Sequence, residues 1–92
     1  MIDETARISS KAIIGKNVSI GPWTIVGPDV VVGEGSEIGP HVVLKGPTVL
    51  GSNVKVFQFS TVGEGTPALA YDGESTSLEI GEGTVIREGV TI

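Results

Sequence analysis

The residues that could take part in catalysis are few. His41 is the only histidine among 92 residues, and the chain contains no cysteine. A single imidazole can act as a general base where it reaches the hydroxyl that it deprotonates. It cannot supply the three histidines of a His₃ zinc site, and without cysteine there is no thiolate ligand, thiol nucleophile or disulfide. We therefore predict neither a metal nor a cofactor.

A second group of chemically useful residues lies in the segment EGTPALAYDGESTSLE, residues 64–79. It interrupts an otherwise regular repeat, and it is a working loop, the remains of one or plain irregularity. From Glu64 onward six acidic residues accompany one base, Arg87, and the net charge of the chain is −5. This balance disfavours nucleic acid, anionic membranes and phosphate ligands. Acid pairs such as Glu34 and Glu37 are typical of solvated turns.

The elements that would position these residues follow from a period of six. Stepping by six from Ile2 meets an aliphatic residue eleven times in succession, the last at Val62. Four residues after each aliphatic residue comes a small or β-branched residue. Glycine directly follows most of the aliphatic residues. The unit is therefore a very short strand with one large and one small inward side chain, followed by a sharp turn. A hexapeptide period of this kind is typical of a parallel β-helix.

The predicted fold is all-β, a parallel β-helix in one domain of residues 1–92. Coils occupy residues 1–63, a loop occupies 64–79 and a final coil occupies 80–92. Three units make one triangular coil of 18 residues, so we expect about five coils. Val62 and Ile80 are 18 residues apart, so the loop should leave the stack and rejoin it in phase. With no targeting signal and no apolar run near the ~20 residues that span a membrane, a soluble, cytoplasmic protein is expected.

Outward residues 18 apart should stack in columns, one on each face of the prism. The first column is predicted to hold Arg7, Ile25, Val43 and Thr61, the second Ile13, Val31, Val49 and Val85, and the third Ser19, Glu37, Lys55 and Thr91. The corner before the first column stacks Trp23, His41 and Phe59.

Two apolar columns beside one polar column indicate a subunit interface, and a three-sided prism suits a homotrimer. The alternative is scattered surface apolar residues of the usual kind. The predicted interface consists of Ile13, Trp23, Ile25, Val31, His41, Val43, Val49, Phe59 and Val85.

Several segments carry a resemblance to a known family: the start MID, VFQFSTVGEG at residues 56–65 and YDGESTSLEIGEGTVIREGVTI at residues 71–92. Over nearly all 92 residues the chain resembles the N-terminal part of the bacterial acyl-[acyl-carrier-protein]–UDP-N-acetylglucosamine O-acyltransferases, hexapeptide-repeat proteins that open lipid A synthesis. The resemblance implies a left-handed β-helix, a homotrimer and a cytoplasmic transferase. The left hand comes from the resemblance alone, because parallel crossovers are as a rule right-handed.

The functional residues of that family mostly do not carry over. The resemblance places its histidine general base several coils beyond residue 92, and His41 matches no catalytic position, so no catalytic residue is predicted. In that family a Gln-Asp pair and a Lys hold the sugar nucleotide, and the resemblance aligns their positions with Pro67, Ala68 and Ala70. The side chains of these three residues lack the amide, carboxylate and ammonium groups that would bind the substrate. The remnant of the loop pattern consists of Tyr71, Gly73, Glu74 and Thr76.

Two functions from different classes follow. In the first, the chain is an acyltransferase-related trimeric domain, inactive alone, with weak or no binding of UDP-N-acetylglucosamine and acyl carrier protein. The basic surface expected for an acidic carrier is missing, since the chain has four Lys and two Arg. In the second, it is a complete small structural or interaction trimer, natural or designed. A piece of a longer protein should aggregate through the open coil at Ile92, and a finished protein should stay a discrete trimer.

Overall fold

The six-residue period becomes a succession of very short strands in a computed structural model, which describes residues 1–63 and 78–92. Within these ranges lie twelve strands of two or three residues. They are β1 (Arg7–Ile8), β2 (Ile13–Ile14), β3 (Ser19–Ile20), β4 (Ile25–Val26), β5 (Val30–Val32), β6 (Glu37–Ile38), β7 (Val43–Leu44), β8 (Thr48–Leu50), β9 (Lys55–Val56), β10 (Thr61–Val62), β11 (Leu78–Ile80) and β12 (Val85–Ile86). The predicted all-β class is confirmed.

The described strands form three parallel sheets of four strands each. Each strand from β1 to β9 pairs with the third strand after it, so three consecutive strands make one coil of a solenoid. Pairs such as Val31 with Val49 are 18 residues apart, as the repeat predicted. Ile80 pairs with Leu50, 30 residues earlier, so the excursion between β10 and β11 adds 12 residues. The prediction that the chain rejoins the stack in phase is confirmed.

The core fills the inside of the prism with the two inward positions of each unit. The large position is buried from Ile20 to Val62, and the small position is buried from Val18 to Ser60. Ile8 and Ile14 of the first coil pack against this core but are half-buried. The fully buried large side chains are all aliphatic, which is what a narrow prism of stacked two-residue strands can accommodate.

Buried hydroxyls at the small position tie each coil to the next. Thr24 Oγ1 donates a hydrogen bond to the carbonyl of Gly39 at 2.7 Å and accepts one from the N–H of Val42 at 3.2 Å. Ser36 and Ser60 make the same pair of bonds to the coil that follows them. Each hydroxyl therefore supplies partners for backbone groups at a turn, where the strand ladder is interrupted.

We expect Thr24→Val to lower the free energy of unfolding by about 1–3 kcal/mol, because the N–H of Val42 and the carbonyl of Gly39 lose a buried partner while the shape is kept. Urea denaturation followed by circular dichroism measures the change. Thr61→Val is the matched control, since Thr61 is half-buried on an outer column and should change stability by less than about 0.5 kcal/mol. Equal effects of the two substitutions would contradict the role of the buried hydroxyl.

The predicted first three members of each outer column are confirmed by the strand register. Beyond the excursion, the prediction for Val85 was wrong. Val85 pairs with Lys55 and extends the third, polar column, whereas Glu79 extends the second column by pairing with Val49. The error arose because the loop was counted as whole coils, although its 12 extra residues correspond to two sides of the triangle.

Thr91 was also assigned to the wrong face. It forms an isolated parallel bridge with Thr61 and therefore belongs to the first face instead of the third. Strand β11 begins at Leu78, two residues before residue 80, where the final coil was predicted to begin. In the described part of the chain, no helix is long and apolar enough to cross a membrane.

Candidate functional site

His41 lies at a corner of the prism, where its backbone is left-handed with φ of 53°. Its ring stacks on Phe59 with centroids 5.5 Å apart and an interplanar angle of 23°. The backbone N–H of His41 donates a hydrogen bond to the carbonyl of Pro22 at 3.0 Å. Among residues 1–63 and 78–92, the structure shows no hydroxyl or carboxylate bonded to the imidazole. A stacked, exposed ring of this kind has no group to orient it as a general base.

The corner around His41 is one continuous column, which we call the aromatic corner and define as Trp23, His41 and Phe59. The three residues precede β4, β7 and β10 at equivalent positions and all have positive φ, of 61°, 53° and 62°. Trp23 and Phe59 are each 63% exposed. The predicted alignment of these residues along one corner is confirmed, and the corner presents their rings to the outside.

Thr5 lies beneath the aromatic corner and was not singled out from the sequence. Its Oγ1 accepts a hydrogen bond from the N–H of Trp23 at 2.9 Å and donates one to Asp3 Oδ1 at 2.6 Å. The N–H of Thr5 also donates to Asp3 Oδ1, at 2.8 Å. The 18-residue spacing from Thr5 to Trp23 could have identified this residue. The bonds connect the first turn of the chain to the base of the corner.

The hydrogen bonds from the Thr5 hydroxyl, and secondly from its N–H, hold the pKa of Asp3 below its ordinary value of 3.8. Since this pKa is lowered on folding, its contribution to stability is present above the unfolded-state pKa and is lost as the pH falls through the folded-state pKa. A carboxyl NMR titration should place the Asp3 pKa below 3.8, and Thr5→Val should return it toward that value. An Asp3 pKa unchanged by Thr5→Val would contradict the assignment.

An open groove of about 260 Å³ lies beside the aromatic corner and is lined by Gly39, Pro40, Phe57, Gln58 and Glu88. The Arg87 guanidinium lies 4.9 Å from the centre of the Phe57 ring. Its Nε is 3.2 Å from Glu88 Oε1. The backbone N–H of Glu88, and secondarily Arg87, hold the pKa of this carboxyl below its ordinary range. The carboxylate is thus already paired, and the groove offers no second acid or base within its lining.

The outer columns differ in polarity as predicted for their first three members. Ile13, Ile25 and Val49 are exposed, while Val31 and Val43 are half-buried by the residues stacked above and below them. On the third column, Lys55 Nζ lies 3.8 Å from Glu37 Oε2. Because both side chains are more than half exposed, this ion pair contributes little to stability.

The residues of the predicted substrate loop lie outside the described part of the chain. These are Pro67, Ala68 and Ala70, and the remnant Tyr71, Gly73, Glu74 and Thr76. Within residues 1–63 and 78–92, no group of three or more His, Asp or Glu side chains is arranged to hold a metal ion. The described surface that stands out is therefore the aromatic corner together with the adjoining apolar columns, and its composition suits contact with another surface better than catalysis.

Comparison with known proteins identifies a matching repeat and several similar proteins. A model of the bacterial transferase hexapeptide, six repeats, matches residues 11–46. The acyl-[acyl-carrier-protein]–UDP-N-acetylglucosamine O-acyltransferase of Stutzerimonas stutzeri is 59% identical over all 92 residues, which cover 36% of that protein. The enzyme of the same name from Saccharophagus degradans is 52% identical over 91 residues, 99% of this chain and 35% of that protein.

Solved structures agree with this relationship. LpxA from Acinetobacter baumannii has 46% sequence identity and a TM-score of 0.90, over 98% of this chain and 35% of that one. LpxA from Bacteroides fragilis, a UDP-N-acetylglucosamine acyltransferase, has 33% identity and a TM-score of 0.92, over 100% and 36% of the two chains. The chain spans about one third of the length of the relatives it matches. Residues 11–46 therefore match the bacterial transferase hexapeptide, and along its whole length the chain is similar to part of the acyl-[acyl-carrier-protein]–UDP-N-acetylglucosamine O-acyltransferases.

Proposed function

We propose that the chain is a β-helix domain related to the UDP-N-acetylglucosamine O-acyltransferases of lipid A synthesis, that it forms a homotrimer in the cytoplasm, and that the 92 residues alone transfer no acyl group. The observation that carries the proposal is 52–59% identity to such transferases over 91 or 92 residues. A left-handed winding in about five coils is part of it. The TM-scores of 0.90 and 0.92 with solved relatives support that architecture.

The lack of transfer follows from the residues that this chain offers. Its one histidine, His41, stacks on Phe59 and is held in a corner turn, away from any described hydroxyl or carboxylate partner. A base must lie within hydrogen-bond reach of the sugar hydroxyl and keep its orientation there. In the loop, Pro67, Ala68 and Ala70 cannot replace an acid, an amide or a lysine in holding a sugar diphosphate.

The homotrimer is supported by where the apolar surface lies. The first and second columns adjoin each other and present Ile25 and Ile13 to the outside, at 46% and 64% exposure, while the third carries the pair Glu37 and Lys55. Two adjoining apolar faces that meet different surfaces of the neighbour give a heterologous contact, which closes into a ring. Three such prisms close most simply around a three-fold axis.

Sedimentation equilibrium of the wild-type chain tests the assembly. We expect a single species of three times the 9.4 kDa chain mass, because a monomer would leave both apolar columns in water. The measurement is repeated at low and high salt, since an apolar contact should persist when surface charges are screened. A monodisperse monomer at all concentrations would contradict the homotrimer.

A second candidate is a structural or interaction trimer without any substrate. It is favoured by the loop, where Pro67, Ala68 and Ala70 replace polar groups, and by the acidic residues Asp72 and Glu74 that would repel a diphosphate. Titration calorimetry with UDP-N-acetylglucosamine should show no heat beyond dilution, with a full-length relative as the positive control. Stoichiometric binding would contradict both the loss of substrate groups and the purely structural candidate.

A further inference from the structure

Most corners of the prism share one backbone conformation but differ in the residues that adopt it. The second residue of a corner turn has positive φ at nine described positions, from Asn17 with 59° to Gly89 with 69°, and lacks it at Thr5, Lys11 and Pro47. At the other two corners this position is held by Asn17, Asp29, Gly35, Asn53 and Gly83. These are the residue types that tolerate a left-handed backbone. At the aromatic corner the same position is held by Trp23, His41 and Phe59 instead.

The choice of aromatic residues at this corner opposes the local backbone preference. A left-handed backbone costs roughly 1–2 kcal/mol for an ordinary side chain, and Asn, Asp and Gly largely escape that cost. The fold compensates only in part, because the His41 ring stacks on Phe59 while Trp23 and Phe59 remain 63% exposed. Strained positions that persist with little local benefit point to a function outside the element that holds them. The rings are therefore suited to contacts beyond their own prism.

The charge distribution indicates what kind of surface meets the corner. Stacked with the aromatic corner are Thr5 and Gly89, and the first column beside it holds Arg7, Ile25, Val43, Thr61 and Thr91. No carboxylate stands at these positions themselves, and the adjacent Asp3 and Glu88 carboxylates are bonded to Thr5 and Arg87, although the chain has 11 acidic residues and a net charge of −5. Two copies of an acidic protein repel each other least where neither carries acid. A basic partner would instead be drawn to the acidic turns elsewhere.

We propose that the aromatic corner is the anchor through which one copy of this chain packs against the next, with Trp23 and Phe59 supplying most of the association energy. The proposal rests on the homotrimer proposed above and names the residues that hold it together. Large aromatic side chains that lie in the centre of a contact and exclude water are the usual hot spots of protein interfaces. The adjoining apolar columns then surround the anchor and complete the contact.

The wild-type chain itself provides the first test, because Trp23 is its only tryptophan. Raising the protein concentration through the association range should shift the Trp23 emission to shorter wavelength and reduce its quenching by acrylamide. Both changes should follow the mass measured by sedimentation at the same concentrations. A trimer whose indole still emits and is quenched as a fully exposed ring would overturn the anchor while leaving the homotrimer standing.

The double variant Trp23→Asn/Phe59→Asn is the second test. Asparagine suits the left-handed backbone, as Asn17 and Asn53 show, so the variant should keep the wild-type circular dichroism spectrum. We expect its dissociation constant to rise by about 10²-fold or more. The matched control is Val85→Thr on the third column, where the exposed side chain should leave the dissociation constant within about twofold.

The outcomes separate this proposal from the one on which it rests. A wild-type chain that is monomeric at every concentration overturns the homotrimer and the anchor together. A wild-type trimer with an equally tight double variant overturns the anchor alone. Dissociation of Val85→Thr to the same extent as the double variant would show that the contact is not concentrated at the corner, which also overturns it.

Discussion

Gly33→Ala is expected to lower the free energy of unfolding by about 3 kcal/mol, which corresponds to a fall in Tm of roughly 10–20 °C for a domain of this size. Gly33 lies directly beneath Gly51 in the next coil, and its N–H donates to the carbonyl of Leu50 at 2.8 Å. A Cβ at Gly33 would overlap the carbonyl group of Gly51 and lie 2.7 Å from the N–H nitrogen of Ser52. Those atoms are backbone, so they can yield only by separating the two coils.

Gly27→Ala is the matched control for this prediction. Gly27 occupies the same repeat position, but a Cβ there would meet its nearest atom, the carbonyl oxygen of Leu44, at 3.4 Å. Neither glycine has positive φ, so the comparison isolates the space between coils from backbone strain. Guanidinium denaturation of both variants at one protein concentration gives the difference. Equal stabilities would contradict the view that glycine at Gly33 is required by the coil spacing.

Much of the fold could be predicted because the repeat is strict. In a strand of two residues, one side chain points inward and the next outward, so a period of six determined both the core and the first three members of every column. The aromatic corner followed from the same arithmetic, because Trp23, His41 and Phe59 are 18 residues apart. Each of these predictions depends only on neighbouring coils having equal length.

The predictions failed where that equality ended. The spacing of the aliphatic residues shows that the length of the excursion is a multiple of six. Only the pairing of Ile80 with Leu50 shows that the excursion adds two sides of the triangular coil and not three. Val85 was therefore placed one face away from its true position beside Lys55. The hydroxyl of Thr24 was recognised as small and inward, yet its bonds to the next coil depend on where the turn carbonyl of Gly39 lies. Such distances are properties of the folded backbone.

The backbone conformation of the aromatic corner was also beyond the sequence pattern. Turn residues predict a sharp corner, but they do not reveal that Trp23 itself adopts positive φ. That combination of a bulky ring and a left-handed backbone is the observation on which the proposed contact rests. The substrate-loop assignments at Pro67, Ala68 and Ala70 stay predictions, because they depend on the resemblance.

The second large effect concerns catalysis by the 92-residue polypeptide. A positioned general base contributes about 10²–10⁴-fold to a proton-transfer reaction, and removing substrate contacts lowers the rate further. His41 stacks on Phe59 and has no described partner to orient it. We therefore expect the rate of acyl transfer to be lower than that of a full-length relative by at least about 10⁴-fold. His41→Ala should leave the negligible rate unchanged, because this ring serves the corner and not the reaction.

The most direct measurement is a mass-spectrometric assay of acylated UDP-N-acetylglucosamine. The folded wild-type chain is incubated with UDP-N-acetylglucosamine and hydroxyacyl-acyl carrier proteins of several chain lengths. The Stutzerimonas stutzeri relative, 59% identical over this region, serves as the positive control at equal concentration. We predict no acylated sugar nucleotide above the protein-free background. Product formation within about tenfold of the control, abolished by His41→Ala, would contradict the proposal that this chain is a β-helix domain without transferase activity of its own.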